Sequence, residues 1–354
     1  MDKFKIEAIS IEVIKTLYKR FLKFPEDAAN NRNAPFHEAF LNAFSDKFED
    51  KVQDIPYFIS LSSWLHGLNT TLGQSFFENV AQILSDGEKR TFRQNLNNLP
   101  QIHSGQTRTI NQIITDLKNS STKPDISQET ELIIESEGVG DLEPGKQFTV
   151  DVFFEDDTEV FAVELKSVKP NAGEMRGEKQ KILEGKVSLM QSYPDKQIHY
   201  YIGFPFDPNI DASSQPVTSY DKVAFLESII DGLKYFDPAE TLLASELWDF
   251  LSGEEGTMEL ILEIINNIAT PNFLEIYHYI MERKIKSPEY IDILTDWNLI
   301  SEATLVMNDE AIRKELTSAT NIRMYNNSVF IESSSNDSTD YNWRRYNHLL
   351  GLIS

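Results

Sequence analysis

The sequence predicts an α/β (α+β) protein with a small mixed sheet flanked by helices and mainly helical parts at both ends. Three observations carry this. Residues 148–154 and 161–167 alternate apolar and other side chains, the period of half-buried strands. A further alternating run at 197–203 follows a helix-like stretch at 174–192. Residues 1–85, and those beyond Asp221, repeat their apolar residues at helical spacing instead.

Taken along the chain, Ile9, Val13, Ile14, Leu17, Phe21 and Leu22 share a helical stripe. An Asn- and Pro-rich loop at 29–35 and a second periodic run at 36–48 follow. The stretch 72–84 reads as a helix with Phe76, Phe77, Val80, Ile83 and Leu84 inward and Glu78 on its flank. Residues 85–129 are polar, with a helix expected near 110–117. Strands are expected at 131–135, 147–154 and 159–167. The helix at 174–192 carries Met175, Ile182, Leu183, Val187 and Met190, although Gly177 and Gly185 weaken it. Beyond Asp221, helices are expected at 225–235, 239–251, 258–268 and 273–281. Asn326-Asn327 suggests a hairpin within 322–332, which after helices would suit a winged-helix-like module, and 333–340 reads as a polar tail. The expected division is a helical region at 1–72, a core at 73–220 and a mainly helical region at 221–354.

The length of 354 residues is enough for two or three domains. The absence of cysteine removes disulfides, thiolate zinc sites and cysteine nucleophiles from consideration. No apolar run is long enough for a membrane span, and the first residues lack the apolar core of a signal peptide, so a cytoplasmic protein without a membrane partner is expected. A net charge of −23 opposes indiscriminate DNA binding, since duplex DNA repels a polyanion. A focused site with local cations and a metal ion escapes that objection.

The chemistry centres on the two strands at 148–167. Glu164 and Lys166 project from one face, and Asp151 projects opposite the apolar side of its own strand. Two carboxylates and an ammonium held close together form a metal-dependent phosphodiesterase site. The same spacing also suits a solvated strand face. Beyond Lys166, residues 166–186 hold six Lys and Arg against three Glu, a local reversal of sign in an acidic chain. Lys169, Asn171, Arg176 and Lys179 are candidate contacts to phosphates or base edges. The alternative is a helix with ordinary i,i+4 charge pairs. Asn, Gln and Arg between Arg90 and Arg108 form a further candidate groove-reading surface, and Arg323, Arg344 and Arg345 are candidates near the C-terminal hairpin. The six histidines have no metal-ligand spacing, and no Gly-rich phosphate loop is present.

The order helix, strand, strand, strand, helix, strand, with Asp151 and Glu164-Leu165-Lys166 on consecutive strands, resembles the PD-(D/E)XK nuclease superfamily. Val150 stands where that pattern usually has Pro. The resemblance implies a restriction-endonuclease-like core, Mg²⁺ held by Asp151 and Glu164 through hard oxygens, and Lys166 stabilising phosphorane charge. It also implies a further acid on the preceding helix, here Glu78, that completes the metal shell. Pro35-Phe36-His37-Glu38-Ala39-Phe40, Gly73–Glu78, Val163-Glu164-Leu165-Lys166 with Lys169-Pro170-Asn171, and Glu246–Leu251 are similar to the TdeIII-type family of type II restriction endonucleases. That likeness implies Mg²⁺-dependent double-strand cleavage at a short GGNCC-like palindrome by a homodimer. A cognate DNA methyltransferase would belong to the same system. Two other classes compete: a DNA-binding or interaction protein with an inactive nuclease fold, and a structure-specific repair or mobile-element nuclease. The intact acid–acid–lysine set favours the active enzyme.

Overall fold

The computed structural model describes residues 1–25, 35–44, 55–166, 172–282, 288–333 and 337–353. Most of the expected 29–35 loop, the end of the 36–48 run, and Lys169 and Asn171 lie outside the described residues. The chain forms two compact units, residues 77–260 and residues 1–76 with 261–354. Residues 221–260 therefore fold with the sheet, and the two ends of the chain share the other unit.

In the sheet unit, helix α1 (Phe77–Ser85) leads into strand β1 (Glu88–Phe92). Then come β2 (Gln101–His103), α2 (Ser104–Lys118), α3 (Ile126–Glu135) and β3 (Leu142–Pro144). Strands β4 (Phe148–Glu155) and β5 (Glu159–Leu165) precede the long helix α4 (Ala172–Ser192) and strand β6 (Gln197–Phe204). Strand β7 (Thr241–Leu243) and helix α5 (Ser245–Ser252) complete it. The sheet order is β1-β4-β5-β6-β7, antiparallel across β1, β4 and β5 and parallel from β5 to β7. This mixed five-stranded sheet flanked by helices is the architecture the alternating strands predict.

Strands β4 and β5 form because their β-branched and aromatic side chains have a core to fill. Val150, Val152, Val160 and Val163 are fully buried, and each such burial contributes about 1.5–3 kcal/mol. The alternation in β4 is broken, however. Glu88 pairs with Phe153 but Arg90 with Val150, so β4 spends an extra residue against β1. All four residues Val150–Phe153 are consequently buried, Asp151 among them. The turn to β5 is fixed by Asp156, whose carboxylate accepts from the N–H groups of Thr158 and Glu159, both at 2.8 Å.

Helix α4 crosses the sheet at Gly185. A Cβ there would stand 2.7 Å from Tyr200 Cε1 and 3.1 Å from Phe148 Cδ2, so the glycine is what allows the close approach. Helix α5 lays Trp248 and Leu251 into the core, and Trp248 Nε1 donates to the Pro205 carbonyl at 2.9 Å.

Four expectations are corrected. Residues 131–135 are helical, part of α3. Asp125 caps that helix by accepting from Ser127 and Gln128 N–H at 3.0 and 2.9 Å, and its buried residues Glu129 and Ile133 follow i,i+4 spacing. The missing strand of the core is β1, within the segment read as polar surface. As an edge strand it buries only Phe92, so it carries no apolar alternation. The stretch 239–251 is interrupted by β7 and by Ala244, whose φ of 52° ends the strand before α5 begins. In the other unit the hairpin pairs Phe330–Ser333 with Ser338–Tyr341, after a helix at Ala319–Asn326, so Asn326-Asn327 is a helix end and part of the expected tail is a strand.

The second unit is helical around Ile9, Ile14, Phe273, Tyr277 and Leu294. Two of its buried charged groups are held by specific partners. Glu7 accepts from the Ser301 N–H and hydroxyl at 2.7 and 2.6 Å, and Arg345 forms a two-pronged pair with Glu302 at 2.6 and 3.1 Å. Among the described residues, no helix is long and apolar enough to cross a membrane.

Candidate active site

Asp151 and Glu164 arrive from adjacent strands. Asp151 Oδ2 accepts from the Leu165 N–H at 3.1 Å, which clasps it to the backbone between Glu164 and Lys166. Gln82 of α1 donates to the Asp151 carbonyl at 3.0 Å and so ties β4 to the helix that bears Glu78. Glu164 is buried and held from two sides, by Lys166 Nζ on Oε1 at 3.2 Å and by Lys181 Nζ on Oε2 at 2.6 Å. Burial and then the nearby Asp151 carboxylate push its pKa above the ordinary carboxylate range.

Lys166 is shared between Glu164 and Glu178 of α4, the latter at 2.9 Å. Burial pulls its pKa down, but these two carboxylates outweigh that and hold the ammonium charged. Lys89 of β1 bridges Glu78 at 2.7 Å and Asp151 Oδ1 at 3.3 Å. Burial again works against its charge and the two acids prevail. Beneath these groups lies the Tyr200 hydroxyl, fully buried and without a hydrogen bond to any described residue. Burial and the fields of Glu164, Asp151 and Glu178 keep it a neutral phenol.

A hard divalent cation takes oxygen ligands, and the Asp151 and Glu164 carboxylates supply them within each other's field. Those two residues fit such an ion. Glu78 does not complete the set, because Lys89 stands between it and Asp151. Among the described residues, no three His, Asp or Glu side chains converge closely enough to hold a metal together.

The other expected contacts separate. Arg176 is exposed on α4. Lys179 is corrected: it is wholly buried, with its ammonium 2.5 Å from Glu129 and 2.6 Å from Glu240, and offers DNA nothing. It shares a helical stripe with buried Met175, Ile182 and Lys186, which fixes the direction it faces. Arg345 is likewise buried against Glu302. Three residues of the cluster had no assigned role from sequence: Lys89, Glu178 and Lys181. Lys89 lies on a strand without apolar alternation. Glu178 and Lys181, three apart on α4, were distinguishable from Lys179 only by helical phase.

The sheet and its flanking helices have the restriction-endonuclease-like architecture, with an acid–acid–lysine cluster where β4 meets β5. The family model described as "Type II restriction endonuclease, HinfI" matches residues 2–269, and the chain belongs to that family. The type II restriction enzyme MjaII of Methanocaldococcus jannaschii is 44% identical over 321 residues, covering 85% of this chain and 84% of the relative. The protein is therefore a type II restriction endonuclease, a site-specific deoxyribonuclease acting on double-stranded DNA. The family shown is the HinfI-type one, where the short sequence patches resembled the TdeIII-type.

Proposed function

We propose that this endonuclease hydrolyses both DNA strands at a short palindrome, with Mg²⁺ held by Asp151 and Glu164 and with Lys166 facing the reacting phosphate. The observation that supports it most is the Asp151–Leu165 N–H bond of 3.1 Å, which sets the β4 acid beside Glu164 and Lys166. When bound, the ion supplies charge neutralisation on phosphate oxygens and acidifies a water. The chain's own contribution is positional and electrostatic. Lys166, held charged by Glu164 and Glu178, stabilises negative charge developing on the phosphate. Asp151 is fixed by a backbone donor on Oδ2, so its other oxygen is oriented before any ligand arrives. Glu78, in place of ligating metal, positions Lys89, whose ammonium lies 3.3 Å from Asp151 Oδ1.

Lys89, Lys166, Lys181 and Arg176 gather positive charge in a protein of net charge −23, so attraction to DNA is confined to their neighbourhood. A homodimer suits a palindrome, because two-fold symmetric DNA is matched by two-fold symmetric protein. The system would include a cognate DNA methyltransferase and work in the cytoplasm. The GGNCC reading rests on the TdeIII-type likeness alone. Digestion of plasmids with and without GGNCC sites tests it, in Mg²⁺ and in EDTA. The proposal expects discrete fragments only from the GGNCC plasmid and only with Mg²⁺. Discrete cutting of the plasmid lacking such sites overturns the base assignment, and uncut DNA in Mg²⁺ overturns the proposal.

A further inference from the structure

From Lys89 to Thr115 the chain contains no Asp or Glu, although the whole protein carries 56 acids against 33 Lys and Arg. The same segment holds Lys89, Arg90, Arg93 and Arg108. It leaves the sheet at the catalytic end. Phe92 pairs with Phe148, three residues along β4 from Asp151, so the chain beyond Phe92 starts about 10 Å from that carboxylate at strand rise. The six residues that follow, Arg93 to Asn98, are all exposed, with Leu96 at 55%.

This turn is exposed but not loose. Asn98 closes it from both sides, its Oδ1 accepting from the Arg93 N–H at 2.9 Å and its Nδ2 donating to the Thr91 carbonyl at 2.8 Å. Gln94–Leu96 form one 3₁₀ turn, and Asn97 takes a left-handed φ of 52°, which Asn tolerates better than most residues. On this clamped backbone the side chains of Arg93, Gln94, Asn95 and Asn97 make no hydrogen bond or ion pair with any described residue. Asn98 spends its amide on the backbone while its neighbours keep theirs.

We propose that Arg93, Gln94, Asn95 and Asn97 form a base-reading turn that determines which DNA sequence is cut; this rests on the nuclease reading above. In the major groove Arg pairs two-pronged with guanine, and a carboxamide of Asn or Gln can donate to guanine N7 or O6 or accept from the cytosine amino group. A fixed backbone spares such contacts the entropy of ordering a loop. The absence of acids across the segment removes repulsion from the flanking phosphates.

The test compares wild type with Asn95→Ala and Asn97→Gly, the latter keeping the left-handed backbone while deleting the amide. Each full-length protein digests, in Mg²⁺, a duplex pool randomised across the recognition positions, and the products are sequenced. The turn predicts a loss of roughly 10- to 100-fold at the wild-type site, a smaller loss at sites changed by one base, and an unchanged Tm. Discrimination between sites thus shrinks. Equal loss at every sequence means phosphate contact only and overturns the proposal, as does unchanged discrimination. A wild type that leaves the pool uncut overturns the nuclease reading and this one with it. Cleavage by wild type with unaltered variants overturns the turn alone.

Discussion

Two lysine clusters on helix α4 invite comparison. Lys179 and Lys181 stand two residues apart, yet one is wholly buried between Glu129 and Glu240 and the other reaches Glu164 from a partly exposed position. Composition makes them equals, and helical phase separates them. Two residues turn a helix by about 200°, so Lys179 falls on the Met175–Ile182–Lys186 stripe and Lys181 on the flank beside Glu178. The buried cluster resembles a structural ion triad; the partly exposed one holds the Glu164 carboxylate of the candidate site. A basic run beside a candidate active site is therefore not one surface.

The largest expected contrast is between removing these two lysines. Lys179→Met leaves two buried carboxylates without their cation and should cost about 3–5 kcal/mol. Lys181→Met removes a partly exposed pair and should change stability by less than about 1 kcal/mol. It should instead lower the Mg²⁺ concentration needed for half-maximal cleavage, because Glu164 Oε2 is freed. Urea unfolding and Mg²⁺ titration of cleavage check the two halves. Equal destabilisation by both would erase the distinction.

The buried cluster also predicts a pH dependence. One ammonium between two carboxylates neutralises one, and burial pushes Glu129 up to about 7 from its ordinary 4.5. Between those values the folded protein binds a proton that the unfolded chain has released. This contribution to stability is therefore full below the lower value and is lost as pH rises through about 7. Melting curves across that window should show a falling Tm for wild type and a flatter profile for Glu129→Gln.

Two glycines on α4 give the smallest effect and the finest test of how the helix sits. Replacing Gly185 by Ala gains about 1 kcal/mol in helix propensity but meets Tyr200 and Phe148, an overpacking cost of about 1–3 kcal/mol, so net loss is expected. At Gly177 a Cβ meets nothing within 4 Å, so Gly177→Ala should stabilise by up to about 1 kcal/mol. Denaturant midpoints of the two variants should move in opposite directions.

Much of this was legible before any fold was in hand. Strands β4, β5 and β6 and helix α4 announce themselves through strong apolar periods, and Asp151, Glu164 and Lys166 follow from the strands. What escaped has physical reasons. Strand β1 is a charged edge and has only one side chain to bury. The short window 131–135 is equally apolar as strand or helix, and the Asp125 cap upstream decides it. Lys89 joins the site only because that edge strand pairs with β4. Lys179 was recoverable, since its spacing from Met175 and Ile182 places it on the apolar stripe. A buried lysine defies the usual expectation for its type, and the two acids that make it tolerable come from distant segments.

The central claim is that Asp151, Glu164 and Lys166 act together on the scissile phosphate. Single-turnover plasmid cleavage in Mg²⁺ by wild type, Asp151→Ala and Lys166→Ala, with Tm recorded for each, tests it most directly. Both variants should fold, and each should lose at least about 10³-fold in rate. Discrete fragments from both variants at the wild-type rate would contradict it.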